Sequence, residues 1–95
     1  MQLHHEKTNG DWEHAADAGH PGAQFYLGLM YATGEELQQD LVLAHKWLNL
    51  AATRGSSDAT TLRAEITMEM SRKEVMTAQR LARDWLDRYA SEGTS

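Results

Sequence analysis

Cysteine is absent from this chain, so no disulfide framework staples it and no thiolate is available for catalysis or metal binding. Nothing therefore marks an oxidising compartment. Proline occurs once, and seven glycines in 95 residues are too few for a linker-like polypeptide. An apolar run is missing from the opening "MQLHHEKTNG", which excludes a secretory signal or membrane span there and makes the cytoplasm the expected location. Positive charge is scarce through most of the chain. Residues 1 to 70 carry 4 basic and 10 acidic side chains, within a formal net charge of −5 overall. An acidic body repels phosphate backbones, so nucleic acid is not expected as a partner, and no segment suits a membrane. Residues 71 to 90 reverse the balance with 5 basic and 3 acidic side chains, but the signs alternate, as in "RDWLDR", which suits a solvated helix face.

What is present is an ordinary globular composition, 41% hydrophobic and 24% charged, enough for one small domain near the lower limit for a self-sufficient core. Helix punctuation organises it. "DWEHAADAG" runs from Asp11, a candidate N-cap, to Gly19, a candidate stop. "HPGAQFYLGLMYATG" has Pro21 where a first helical turn tolerates it and ends at Gly34. "DLVLAHKWLNLAATRG" starts after Asp40 and ends at Gly55, and "SDATTLRAEITMEM" follows Ser57. "SRKEVMTAQRLARDWLDRY" opens with Ser71 and Glu74 in capping-box spacing and lines up Val75, Ala78, Leu81, Ala82, Trp85, Leu86 and Tyr89 on one face. No stretch alternates with strand period. The expected class is all-α with about five helices: a flexible N-terminus over 1–10, one domain over 11–90 and a frayed tail over 91–95.

Internal repetition is the stronger signal. "AADAGHPGAQ" (15 to 24) aligns with "AATRGSSDAT" (51 to 60), so Ala15, Ala16, Gly19 and Ala23 map onto Ala51, Ala52, Gly55 and Ala59. Gly28 falls on Ala64 in the same register, and "AHKWL" (44 to 48) recurs as "ARDWL" (82 to 86). The unit is a helix hairpin, which must stack on neighbours to bury its apolar stripe. This divides the domain into a half-hairpin (11–19), a first repeat (20–55) and a degenerate C-terminal repeat (56–90). It also gives Gly28 a reason. Glycine inside a helix costs about 1 kcal/mol relative to alanine, and a close helix crossing offsets that cost. Small residues at Ala23, Gly28, Ala44, Ala51, Ala59, Ala64 and Ala82 would let axes approach and leave room for Trp47 and Trp85.

The pattern Ala15, Ala16, Gly19, Ala23, Gln24, Leu27, Gly28, Met30, Tyr31, Gly34, Asp40, Ala44, Trp47, Ala51, Ala52, Gly55 resembles the Sel-one-like repeat, a relative of the tetratricopeptide repeat. The resemblance covers residues 12 to 59, and the stretch to about 86, with "AQRLARDWL", is similar to the degenerate last repeat of such proteins. Two departures stand out: "GEEL" replaces the usual glycine and valine of the hairpin loop, and Trp12 is slipped by one position relative to Trp47. The resemblance implies a short right-handed α-solenoid of antiparallel hairpins and a protein-binding adaptor role of the kind found in bacterial signalling and assembly. Some secreted members are cysteine-rich and associated with penicillin binding or hydrolysis; this chain lacks that branch's cysteines.

Catalytic and metal constellations are weak. His4 and His5 are adjacent, His14, His20 and His45 lack i, i+4 partners, and His20 sits where a helix cap is expected. Glu35, Glu36 and Asp40 read as a solvated loop cluster. Met68, Met70 and Met76 read as core gap-fillers. No cofactor is expected, and the chain is not expected to be an enzyme. The candidate partner-binding residues are Phe25, Tyr26 and Leu29, apolar at variable repeat positions that tend to line a solenoid's concave face, with Thr61, Leu62 and Glu65 at matching sites. The competing role for Phe25, Tyr26 and Leu29 is packing around Trp12. The expected partner is a protein or peptide, with self-association through the open ends of a short array as a further expectation. The rival classes are a small inhibitor or immunity-type regulator of an enzyme and, behind it, a β-lactam-hydrolysing enzyme.

Overall fold

Four of the five helix starts fall where a side chain satisfies a first free N–H group. In the computed structural model, which describes residues 8–93, α1 spans Asn9–Asp17. The Thr8 hydroxyl accepts from the Asp11 amide at 3.2 Å, and the Asp11 carboxylate accepts from the Thr8 amide at 3.1 Å. The cap expected at Asp11 therefore moves to Thr8, and residues 9–10 belong to the first helix; the rest of the expected flexible N-terminus lies outside the described residues. The second helix, α2, spans Pro21–Thr33 and stops at Gly34, whose φ of 75° lets its amide turn back to the Met30 carbonyl at 2.9 Å. Asp40 caps α3 (Leu41–Thr53) through the Leu43 amide at 3.0 Å. Ser56, one residue before the expected Ser57, caps α4 (Ser57–Thr67). Ser71 and Glu74 form the expected capping box ahead of α5, Arg72–Gly93. That helix runs on through residues 91–93, where a frayed tail was expected. Five helices and no strand occur among the described residues.

Packing is sequential at first and then changes. The helices α1, α2 and α3 pack in order, α3 takes both α4 and α5 as major neighbours, and α2 touches α4 lightly. One core cluster joins Ala16, Ala23, Leu27, Met30, Trp47, Leu50, Ala82 and Trp85 across α1, α2, α3 and α5. A second joins Ala44, Leu48, Ala51, Ala59 and Ile66 across α3 and α4. Leu27, Leu48 and Leu50 are at most 1% exposed, and such burial contributes about 1.5–3 kcal/mol per side chain. Gln24 adds a polar clamp, its Nε2 donating to the Ala16 carbonyl at 3.1 Å between α2 and α1.

Gly28 lies at the α2–α3 crossing. A Cβ there would stand 2.7 and 2.8 Å from Leu48 Cγ and Cδ2 and 3.3 Å from the Ala44 carbonyl oxygen. The space that the glycine releases is thus occupied by Leu48, and not by Trp47 as the sequence suggested. Ala23, Ala44, Ala51, Ala59 and Ala82 are buried as expected of crossing positions. Ala64, equivalent to Gly28 in sequence, is exposed. The reason is the placement of α5, whose buried Ala78, Ala82 and Trp85 face α3 instead of closing against α4 as α3 closes against α2.

The two tryptophans of "AHKWL" and "ARDWL" meet. Trp47 and Trp85 pack edge-on with ring centroids 6.3 Å apart. The Trp85 Nε1 donates to Asp17 Oδ1 at 2.9 Å, and Tyr89 stacks on Trp85 at 4.7 Å while lying over Gly19. Gly19 and Gly55, equivalent turn positions, share left-handed φ values of 98° and 100°. Arg54 Nη1 donates to the Gly19 carbonyl at 3.3 Å.

Candidate interaction surface

The α2 side chains expected to form one patch divide between two neighbours. Phe25 is half-buried against the α3–α4 core cluster, which it shares with Leu62. Both are therefore fold residues first. Tyr26 points the other way and meets Trp12 of α1 at 4.5 Å between centroids, with the rings tilted by 55°. It still leaves 45% of its surface in solvent. Leu29 is half-buried on the same side as Tyr26. Thr61 and Glu65 are exposed on α4, and the structure does not join them to the Tyr26 surface.

Tyr26 separates two hollows. On one side Trp12, Ala15, His20, Gly22 and Ala23 enclose about 500 Å³, a largely apolar space between α1 and the start of α2. On the other, Leu29, Met30, Thr33, Glu35 and Glu36 enclose about 120 Å³ at the end of α2. Together they make a groove along α2 with a phenol at its middle, an apolar floor and two carboxylates at one end. Packing around Trp12 is the competing role read from the sequence, and Tyr26 takes it, whereas Phe25 turns to the α3–α4 cluster. His20 holds the N-cap position without a side-chain capping bond, contrary to expectation, and contributes to the wall instead. Of the expected acidic cluster, Glu35 and Glu36 are exposed and lie beside Leu29, while Asp40 is half-buried and caps α3 instead of standing in solvent.

A second, more polar cleft of about 450 Å³ lies between α1, α2 and α3, lined by Glu13, His14, Asp17, Tyr31, Lys46 and Trp47 among others. The Tyr31 hydroxyl donates to Glu13 Oε2 at 3.2 Å. Burial and the neighbouring Glu13 raise the Tyr31 pKa, so this phenol stays a proton donor and is no base. Lys46 is half-buried with its ammonium 4.2 Å from the Trp47 ring centroid. Burial and Arg88 lower its pKa while Asp17 opposes them. Lys46, Glu13 and Asp17 thus line one cleft around the Tyr31–Glu13 hydrogen bond. Among the described residues no cluster of three His, Cys, Asp or Glu side chains could hold a metal ion, and no helix is long and apolar enough to cross a membrane.

Met68 and Met76 are 86% and 61% exposed, so only Met70 of the three clustered methionines serves the core as expected. The chain matches no protein-family model, and no curated protein matches it.

Proposed function

We propose that this chain is a protein-binding module built on Sel-one-like repeats, a short right-handed solenoid whose α2 groove holds a segment of a partner protein. The observation that carries the reading is Tyr26: a large aromatic side chain left 45% exposed between an apolar hollow and an acid-rimmed one. Aromatic anchors flanked by hollows are where interface energy concentrates. Successive packing of α1, α2, α3 and α4, equivalent left-handed glycines and the meeting of the repeat tryptophans support the repeat architecture. The segment best suited to the groove carries an apolar side chain for the Leu29 hollow and a Lys or Arg beside it, facing Glu35 and Glu36.

Peptide-library selection on the intact protein tests this. The wild type should enrich peptides with a hydrophobic residue next to a basic one. The double variant Tyr26→Ser/Leu29→Ser, with Phe25 kept for the core, should lose about 30-fold or more in affinity, equivalent to about 2 kcal/mol, while its circular dichroism is unchanged. Retention of the same peptides by the double variant, or no enrichment by the wild type, refutes the groove.

A further inference from the structure

We propose that the groove on α2 is filled by α5 of a second copy of this chain, so that copies join head to tail. This rests on the reading of the groove as a binding site and adds the identity of its occupant. The basis is a match of charge and polarity between two separate faces of one molecule. Lys73, Met76, Thr77, Arg80 and Arg83 surround a shallow hollow of about 270 Å³ on the outer side of α5. Their spacing of three or four residues puts them on one stripe. Met76 is a flexible apolar side chain, 61% exposed, ringed by three cations. In an otherwise acidic chain, residues 72–83 hold four of the nine basic side chains and one acidic residue. The groove is the converse: Tyr26, Leu29 and Met30 form an apolar floor with Glu35 and Glu36 at its rim.

The match is between molecules. Tyr26 and Met76 are exposed together in one copy, because α5 is held on α3 through Ala78, Ala82 and Trp85 while the groove opens beside α1 and α2. A contact between two different faces is heterologous: an open assembly keeps one groove and one α5 stripe unused at its ends, so it grows into an open chain or closes into a ring. The cation–carboxylate part acts at the surface, where salt with a Debye length of about 10 Å at 0.1 M screens it.

Sedimentation velocity on four samples decides the question: wild type, a groove variant (Tyr26→Ser/Leu29→Ser), a stripe variant (Met76→Asp/Arg80→Glu) and an equimolar mixture of the two variants. The wild type should show a sedimentation coefficient that rises with concentration and falls in 0.5 M sodium chloride. Each variant alone should remain a monomer, because one of its two faces is lost. The mixture should form a complex that stops at two chains, since each variant retains the face the other lacks. Arg80→Glu alone, a fully surface change, should weaken the assembly and flatten its salt dependence. A wild type that stays monomeric throughout, variants that self-associate alone, or a mixture that does not pair overturns the proposal. Tyr26-dependent capture of library peptides without self-association would overturn the second-copy occupant and leave the groove standing; loss of both would remove the groove as well.

Discussion

Replacing Gly28 by alanine sets two opposing effects against each other in the most tightly crossed part of the fold. Inside a helix the change gains about 1 kcal/mol of intrinsic propensity. The added methyl, however, would stand 2.7–2.8 Å from the branch of Leu48 and 3.3 Å from the Ala44 carbonyl. Leu48 is fully buried and Ala44 is backbone, so neither can yield cheaply. Overpacking of this kind costs about 1–3 kcal/mol, and the net expectation is a loss of about 1 kcal/mol, or about 4–8 °C in Tm for a domain of this size. Leu48→Ala alone should cost about 2–5 kcal/mol through its cavity. In that background Gly28→Ala should become stabilising, because its methyl enters vacated space. The two changes should therefore couple by about 2 kcal/mol, as neighbours do. Gly22→Ala, with no atom within 4 Å of the new methyl, is the control and should be neutral to stabilising. Urea denaturation of the single and double variants measures the cycle. If Gly28→Ala raises stability as Gly22→Ala does, or if the cycle is additive, the close-crossing explanation of Gly28 is wrong.

Two other expectations follow from the same packing. His45 is 3% exposed, its Nδ1 has no partner among the described residues, and burial with the nearby Arg63 guanidinium lowers its pKa. The unfolded chain then binds a proton more readily than the folded one, so stability should fall as pH drops below about 6.5, by up to about 1.4 kcal/mol per pH unit, and level off below the lowered pKa; His45→Leu should remove that part of the slope in urea titrations at a series of pH values. Gly19→Ala and Gly55→Ala both force alanine into left-handed backbone, at about 1–2 kcal/mol, but only Gly19 also meets Tyr89, at 2.7–2.9 Å. Gly19→Ala should thus be the more damaging by thermal unfolding, and the difference should vanish in a Tyr89→Ala background.

Local chemistry was the legible part of this fold. Ser71 with Glu74, Asp40, Pro21 and Gly34 act within a few residues, so their spacing alone places helix ends. The Thr8–Asp11 pair shows the limit of that method: Asp11 is a capping residue by type, but it acts as the third residue of its helix. Periodicity also marks the buried side of α3, and His45 shares that arc with Ala44 and Leu48, though its burial was masked by its being polar. Choice of neighbour was not legible. Ala64 and Gly28 align in the sequence, yet one is exposed and the other crossed by Leu48, because the fate of each depends on where the next helix lies. Likewise, adjacent Phe25 and Tyr26 turn to different neighbours, the α3–α4 cluster and Trp12, of which the sequence points only to Trp12.

The bond from Trp85 to Asp17, with Tyr89 laid over Gly19, ties the last helix to the end of the first. A row of stacked hairpins in which each touches only its neighbours can unravel from whichever terminus is weaker, losing order piece by piece. Here the two extremities hold each other. Neither can peel away without dismantling the indole contacts at the middle, so the five helices are expected to melt as a single cooperative body.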